Sequence, residues 1–335
     1  MPTDPAELDR LRAEFDRRLR SYLEERRAEL PEATDLLDEI ERILSAGGKR
    51  LRPAFCYWGY VAAGGTPDER IISAAASLEL LHTFALVHDD VMDNAEERRG
   101  EPTVHAKRGA NVAILVGDMA LVLADDAFMG SRFDEKELLR SFSVYSRMRR
   151  QVIAGQYLDL ESVHSKIDEP MARRIAVLKS GSYSIEQPLL MGACLAGAAE
   201  ETLTRLSDFG RPLGEAFQLR DDLLGTFGER SLTGKSIDSD IREGKRHVLY
   251  TKAADALGGE DREFLVSRWG AASLTSEEVA RLRDLLEDSG AREATERLLD
   301  QLLTRAESAL ADASFGEAAR AALAELAAVA TKRRA

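Results

Sequence analysis

The chain has little cysteine, no basic tract and no long apolar run, and each shortage narrows what it can be. Among its 335 residues only Cys56 and Cys194 are cysteines. They lie far apart in apolar surroundings, which offers no disulfide framework and suits two core thiols in a reducing, cytoplasmic setting. The net charge is -13, and no Lys/Arg stretch longer than a few residues offsets it, so a nucleic-acid partner is not expected. Lys332-Arg333-Arg334 is too short to change that. Met1-Pro2-Thr3-Asp4-Pro5 leads into charge-dense sequence without the apolar core of a secretion signal. The longest weakly polar run, Pro188 to Ala199, contains Gly192 and Gly197 and falls short of the ~20 apolar residues of a membrane span. No transmembrane segment is expected, although an oily substrate or product remains compatible with the composition.

Alternating strand patterns, low-complexity linkers and fixed-period repeats are also missing. What is present is helical periodicity. Leu8, Leu11, Phe15, Leu19, Tyr22 and Leu23 form one stripe, and Leu36, Leu37, Ile40, Ile43 and Leu44 form the next. Breaks fall at Gly47-Gly48, Pro53, Gly64-Gly65-Thr66-Pro67, Gly100-Glu101-Pro102 and Gly258-Gly259. The pattern predicts an all-α protein, one domain over 1–335, with 258–335 as a C-terminal helical cap. The Ala-rich stretch Glu317 to Ala330 is a good helix former and carries no functional signal.

Two acidic clusters stand out, Asp89-Asp90-Val91-Met92-Asp93 and Asp221-Asp222-Leu223-Leu224-Gly225. The first ends the apolar run that starts at Leu78, and a helix over 78–97 sets Asp89 and Asp93 about one turn apart on one face. Unpaired carboxylates at the end of a buried helix are very unfavourable. A hard divalent cation such as Mg²⁺ relieves them, held by one or two carboxylates together with substrate phosphates. Asp125-Asp126, followed by Met129 and Gly130 rather than another acid, is assigned no metal. Cations accompany the clusters. Gly47-Gly48-Lys49-Arg50-Leu51-Arg52-Pro53 precedes the first, Arg98-Arg99-Gly100 follows it, and Lys179, Lys235 and Lys245 surround the second. Arginine presents a planar fork to phosphate oxygens and lysine a compact charge, so the combination suits a polyanion held between metal ions and basic side chains.

These motifs, in this order, resemble the trans-isoprenyl diphosphate synthase family. The matching pieces are Gly47 to Pro53, Asp89 to Gly100, Lys179-Ser180, Phe217-Gln218-Leu219-Arg220-Asp221-Asp222, Gly234-Lys235 and Gly244-Lys245, spanning roughly 35 to 255. The resemblance implies a single large helical bundle around a central cavity, the isoprenoid synthase fold. It implies that Asp89 and Asp93 bind two Mg²⁺ ions on an allylic diphosphate, that Asp221 holds a third, and that Asp90 and Asp222 support them. Arg98, Lys179, Ser180, Gln218, Lys235 and Lys245 match positions that hold the allylic diphosphate. Lys49, Arg52, His82 and Arg99 match those that hold isopentenyl diphosphate. Asp89, Asp90, Asp93, Asp221, Lys179 and Lys235 are thereby the residues expected to carry catalysis. Metal and cations stabilise the departing diphosphate, the allylic C–O bond ionises, and isopentenyl diphosphate attacks the carbocation without a protein nucleophile. Relatives are usually homodimers, which the resemblance suggests here too.

Phe84 and Ala85 sit five and four residues before Asp89, where relatives set product length. An aromatic floor at Phe84, with no insertion inside DDxxD, favours a twenty-carbon geranylgeranyl product over fifteen-carbon farnesyl. One position departs from the pattern: Gly225 replaces the third Asp that many relatives carry, and Glu229 could return a carboxylate to that face. Rival readings are a class I terpene cyclase, which needs no second diphosphate site, and a non-catalytic subunit regulating another synthase.

Overall fold

A computed structural model of the chain describes residues 5–228 and 238–331. In chain order the helices are α1 (Pro5–Glu29), α2 (Thr34–Ser45), α3 (Leu51–Ala62), α4 (Glu69–Met92), α5 (Val104–Arg108), α6 (Ala110–Met129), α7 (Glu135–Ser162), α8 (Glu169–Ala176), α9 (Gln187–Leu195), α10 (Glu200–Phe227), α11 (Ser239–Glu243), α12 (Val248–Ala256), α13 (Gly259–Arg268), α14 (Ser276–Asp288), α15 (Ala291–Asp312) and α16 (Glu317–Thr331). A π-helical segment, Val177–Glu186, follows α8. Among the described residues the strands are β1 (Glu97–Arg98) and β2 (Glu101–Pro102), paired antiparallel. The fold class is all-α, as the periodicity predicts.

Two compact units emerge. One contains Met1–Tyr145, Pro188–Leu206 and Ser314–Leu326, the other Ser146–Gln187, Ser207–Ala313 and Ala327–Ala335. In the first unit, the stripes on α1 and α2 face inward: Phe15, Leu23, Leu37 and Ile40 are buried. Helix α4 starts where the Asp68 side chain accepts from the Arg70 backbone N–H at 2.9 Å, a side-chain N-cap. It is apolar on every face and buries Ile71, Ala74, Leu78, Leu80, Leu81 and Val87. By length and composition α4 could cross a membrane, but 61% of its apolar window is buried, as a core helix requires. Its main neighbour is α6. The two approach closely because Gly117 on α6 lacks a Cβ, which would sit 2.2 Å from the His88 ring. Helices α3 and α9 meet backbone to backbone for the same reason, since a Cβ on Gly192 would lie 1.8 Å from the Cys56 carbonyl oxygen. Both cysteines are buried free thiols, and burial pushes the Cys56 thiol pKa far up.

The second unit is organised around Ala216, Leu219 and Leu223 of α10, which share a core with Val248 and Leu249 of α12, Leu282 of α14, and Leu299 and Leu302 of α15. Its π-helical segment, where an extra residue per turn moves side chains off the α-helical register, also depends on glycines. A Cβ on Gly155 of α7 would meet the Lys179 backbone nitrogen at 2.3 Å, and one on Gly214 of α10 would meet the Gly181 carbonyl oxygen at 2.5 Å.

Gly192→Ala is expected to destabilise the protein by about 1–3 kcal/mol through overpacking against backbone that cannot yield. A lowered thermal midpoint would confirm this; an unchanged one would mean that α3 and α9 are not in backbone contact.

Candidate active site

The first acidic cluster closes α4. The helix stops at Met92, with Asp93 as its C-cap, rather than continuing to 97, because Asn94 turns into the left-handed region at φ 50°. The expected spacing survives: the Asp93 N–H donates to the Asp89 carbonyl at 2.8 Å. Asp89, Asp90 and Asp93 thus crowd the last turn of a helix, at the negative end of its dipole, where carboxylates are disfavoured. Arg98 answers them. Its Nε donates to Asp90 Oδ1 at 2.8 Å, and a terminal nitrogen lies 2.7 Å from the same oxygen and 3.4 Å from Asp89 Oδ2.

The Arg98-Arg99-Gly100 motif has a local physical cause. Arg98 pairs with Glu101 across β1 and β2, leaving Arg99 and Gly100 as a two-residue turn with φ of 56° and 79°. Two consecutive positive φ values define the tight hairpin turn that favours glycine and matches strand twist. Arg99 donates to the Gly47 carbonyl, tying this hairpin to the glycine loop before α3. In that loop Arg50, at φ 50°, is buried and donates to Asp16 Oδ1 at 2.7 Å, Glu79 Oε2 at 2.8 Å and the Leu44 carbonyl at 2.5 Å. Arg50 is therefore a structural pin. Lys49 precedes it, and Arg52 lies in the first turn of α3.

His82 is half-buried on α4. Burial first, then the charges of Arg52, Arg99, Arg98 and Arg50, hold its imidazole pKa well below the ordinary value. Burial and four nearby arginines thus favour the neutral imidazole. Arg99 feels the same crowding, since burial and then Arg98 lower its pKa. Phe84, 9% exposed, meets the His88 ring edge-on at 4.9 Å between centroids, with Ala85 half-buried beside it.

The second cluster lies on α10. Gln218 Nε2 donates to Asp222 Oδ1 at 2.7 Å, while Asp222 Oδ2 is buried without a hydrogen-bond partner. Burial first, then Asp240, and further Asp221 and Asp159, raise the Asp222 pKa well above that of an ordinary carboxyl, against the opposing Gln218 hydrogen bond. Lys179, half-buried beside Ser180 in the π-helical segment, reaches Asp159 Oδ2 at 2.5 Å. Lys245 follows the left-handed Gly244 and pairs with Glu243, and its carbonyl accepts from Trp269 Nε1 at 3.1 Å. Lys235, Gly234 and Glu229 lie outside the described residues.

Among the described residues no three His, Cys, Asp or Glu side chains form a ready-made metal cage. The donor set nevertheless fits a hard divalent cation: all-oxygen ligands, carboxylates gathered on one helix, and a buried carboxylate oxygen still lacking a partner. Sequence reasoning missed Arg50, Glu79, Asp16, Asp159 and Asp240. The first three form a buried ion network signalled only by unusual charge in apolar sequence, and Asp159 carries no motif of its own.

Comparison with known proteins decides the family. The Polyprenyl synthetase family model matches residues 34–286. The chain belongs to that family. It is 36% identical over 262 residues to a geranylgeranyl diphosphate synthase of Sulfolobus acidocaldarius, covering 75% of this chain and 76% of that one. It is 34% identical over 249 residues to a (2E,6E)-farnesyl diphosphate synthase of Mycobacterium tuberculosis, covering 73% and 68%. A geranylgeranyl pyrophosphate synthase from Corynebacterium glutamicum, solved with isoprenyl diphosphate and magnesium, superposes with TM-score 0.93 at 33% identity over 98% of this chain and 99% of that one. A polyprenyl synthase from Caulobacter crescentus, solved with calcium and isoprenyl diphosphate, gives TM-score 0.85 at 30% identity, covering 100% and 99%. The protein is accordingly a trans-prenyltransferase of the all-α isoprenoid synthase fold that uses divalent metal.

Arg50→Met is expected to destabilise the fold by about 3–5 kcal/mol, because it strands the buried Glu79 carboxylate. Lys49→Ala should leave denaturant stability unchanged while weakening isopentenyl diphosphate binding. Equal stability of both variants in urea titrations would remove Arg50 from its structural role.

Proposed function

We propose that the enzyme condenses isopentenyl diphosphate with an allylic diphosphate, dimethylallyl, geranyl or farnesyl, to give linear all-trans geranylgeranyl diphosphate. The observation that carries this reading is the pairing of a carboxylate-rich helix end, bridged by Arg98, with the arginine field around His82. A cyclase needs the first but not the second. Three Mg²⁺ ions are assigned, two to Asp89 and Asp93 with Asp90 behind them and one to Asp221 with Asp222 behind it. When bound, they supply positive charge to the diphosphate oxygens as the allylic C–O bond breaks. Arg98, Lys179, Ser180, Gln218, Lys235 and Lys245 orient that diphosphate and stabilise the charge gathering on it. Lys49, Arg52, Arg99 and neutral His82 hold isopentenyl diphosphate, whose double bond attacks the allylic C1. That attack forms the new C–C bond, quenches the allylic cation and leaves the positive charge on the isopentenyl C3, and loss of a proton from the neighbouring carbon to the released diphosphate restores a double bond without a covalent enzyme intermediate.

Phe84 is assigned as the floor of the hydrocarbon channel, with Ala85 shaping the wall above it. Resemblance to geranylgeranyl synthases supports the twenty-carbon product, while the farnesyl synthase relative keeps fifteen carbons as the competing outcome. We also propose one synthase domain, a cytoplasmic location and a homodimer. The first is supported by solved relatives that match 98% or more of the chain, and the second by two buried free thiols. Leu115, Val122 and Met129 support the third, recurring every seven residues on α6 and 46–57% exposed, an outward apolar stripe that suits a self-complementary interface.

Supplying Mg²⁺, isopentenyl diphosphate and each allylic primer should give geranylgeranyl diphosphate. Products ending at fifteen carbons would correct the length, cyclic hydrocarbons would indicate a cyclase, and no product would indicate a regulatory subunit. Phe84→Ala should let chains longer than twenty carbons accumulate in the same assay, and an unchanged product would contradict its floor role. Asp89→Asn should lower kcat on the order of 10²- to 10³-fold, the usual consequence of losing one stabiliser of developing charge.

A further inference from the structure

Glu39 lies inside α2, is 3% exposed and belongs to none of the sequence motifs. Both of its carboxylate oxygens are engaged. Arg42 Nε donates to Oε2 and Lys107 Nζ to Oε1, each at 2.7 Å. Burial opposes the charge on Glu39, but the hydrogen bonds from Lys107 and Arg42 outweigh it and hold the carboxyl pKa below its ordinary value. The two cations lead to the β1–β2 hairpin by separate routes. Arg42 also donates through Nη1 to the Pro102 carbonyl at 3.2 Å, and Pro102 is paired with Glu97, the neighbour of Arg98. Lys107 sits on α5, which begins just after β2 and is itself tied to the chain leading into β1: His105 Nε2 donates to the Ala95 carbonyl at 2.7 Å, and the Thr103 N–H donates to the Glu96 carbonyl at 3.0 Å. Packing alone does not seat the hairpin. A cavity of about 30 Å³, lined in part by Arg42, Leu86, Asp90, Arg98 and Pro102, separates it from α2 and α4 and has room for about two waters.

We propose that Glu39 is a positioning residue for prenyl transfer, a buried carboxylate that acts through Arg42 and Lys107 to fix the hairpin from which Arg98 and Arg99 meet the diphosphates. This rests on the substrate roles proposed above for those two arginines. Their own tethers cannot do the same work. Arg98 bonds to Asp89 and Asp90, and Arg99 to the Gly47 carbonyl, so each guanidinium that turns to a diphosphate oxygen loosens the contact that held it. The Glu39 clamp uses neither arginine and stays in place when substrate binds. Arg108 and Asp35 also join α5 to α2, at 2.9 Å, but at the surface, where an ion pair is worth little. Glutamine at position 39 would offer one acceptor oxygen and turn N–H donors toward the second cation, so it breaks one arm of the clamp at nearly constant volume.

The test is a double-mutant cycle between Glu39 and Arg98 in the full chain, read as kcat/KM for geranyl diphosphate with Mg²⁺ and isopentenyl diphosphate, with folding followed by circular-dichroism melting. Glu39→Gln should lower kcat/KM on the order of tenfold to a hundredfold, as a small misplacement of orienting groups does. In an Arg98→Ala background most of that loss should vanish, because the group that Glu39 positions is gone. A carboxylate serving only the fold would give losses that multiply instead. Asp35→Asn, which breaks only the surface pair, should match wild type. Wild-type kcat/KM in Glu39→Gln, or multiplying losses in the double variant, overturns the proposal. Should Glu39→Gln melt below the assay temperature, Lys107→Met takes its place, and Arg98→Lys replaces an Arg98→Ala too slow to measure, under the same criteria. A wild type that forms no prenyl product would sink the underlying function, whereas an active wild type beside an unaffected Glu39→Gln sinks only the role of Glu39.

Discussion

Three carboxylates in the last turn of α4, at the negative end of that helix, form the constraint on which the first unit is built. A folded chain keeps such an arrangement only with positive charge beside it. Arg98 provides part of it by spanning Asp89 and Asp90. In the proposed reading, a divalent cation bound with a diphosphate would add to it, through the same oxygen chemistry that makes carboxylates suitable ligands. The acidic pair on α10 repeats the problem in another form, since Asp222 keeps one carboxylate oxygen buried and without a hydrogen bond. The proposed catalysis would use positive charge gathered at these carboxylates to withdraw electrons from a diphosphate leaving group.

The backbone details serve this electrostatics. Two successive positive-φ residues, Arg99 and Gly100, reverse the chain tightly enough for Arg98 to fold back onto the helix end. Arg50 uses three hydrogen-bonding partners to fix the loop that carries Lys49 and leads into α3, whose first turn holds Arg52. Burial first, and then the charges of the nearby arginines, favour the neutral form of the His82 imidazole. In the second unit, glycines at 155, 181 and 214 allow the π-helical segment to lie against α7 and α10, which sets Lys179 near Asp159.

Much of this is legible in the sequence because it is local. The apolar stripes of α1 and α2, the end of the run at Asp89 and the glycine breaks follow from periodicity and chain sterics within a few residues. What cannot be read depends on contacts distant in sequence. The Lys179–Asp159 pair spans a helix boundary, and Arg50 and Glu79 look like ordinary charges until both are seen buried. The expected helix end at 97 overruns the true end at Met92, because an asparagine such as Asn94 can either continue a helix or stop it. Its left-handed conformation, which stops this one, shows only in the folded chain. Gly225 departs from the motif, and only the folded chain shows that the Asp240 carboxylate lies against the place where a Cβ there would stand.

The most direct test of the central claim is an anomalous difference map, at the manganese edge, from crystals grown with Mn²⁺ and a non-ionisable thiolo analogue of the allylic diphosphate. Peaks are expected at about 2.0–2.3 Å from carboxylate oxygens of Asp89 and Asp93, and another beside Asp221, each also touching the diphosphate. A well-ordered diphosphate bound by arginine and lysine alone, with no peak at either acidic cluster, would contradict it.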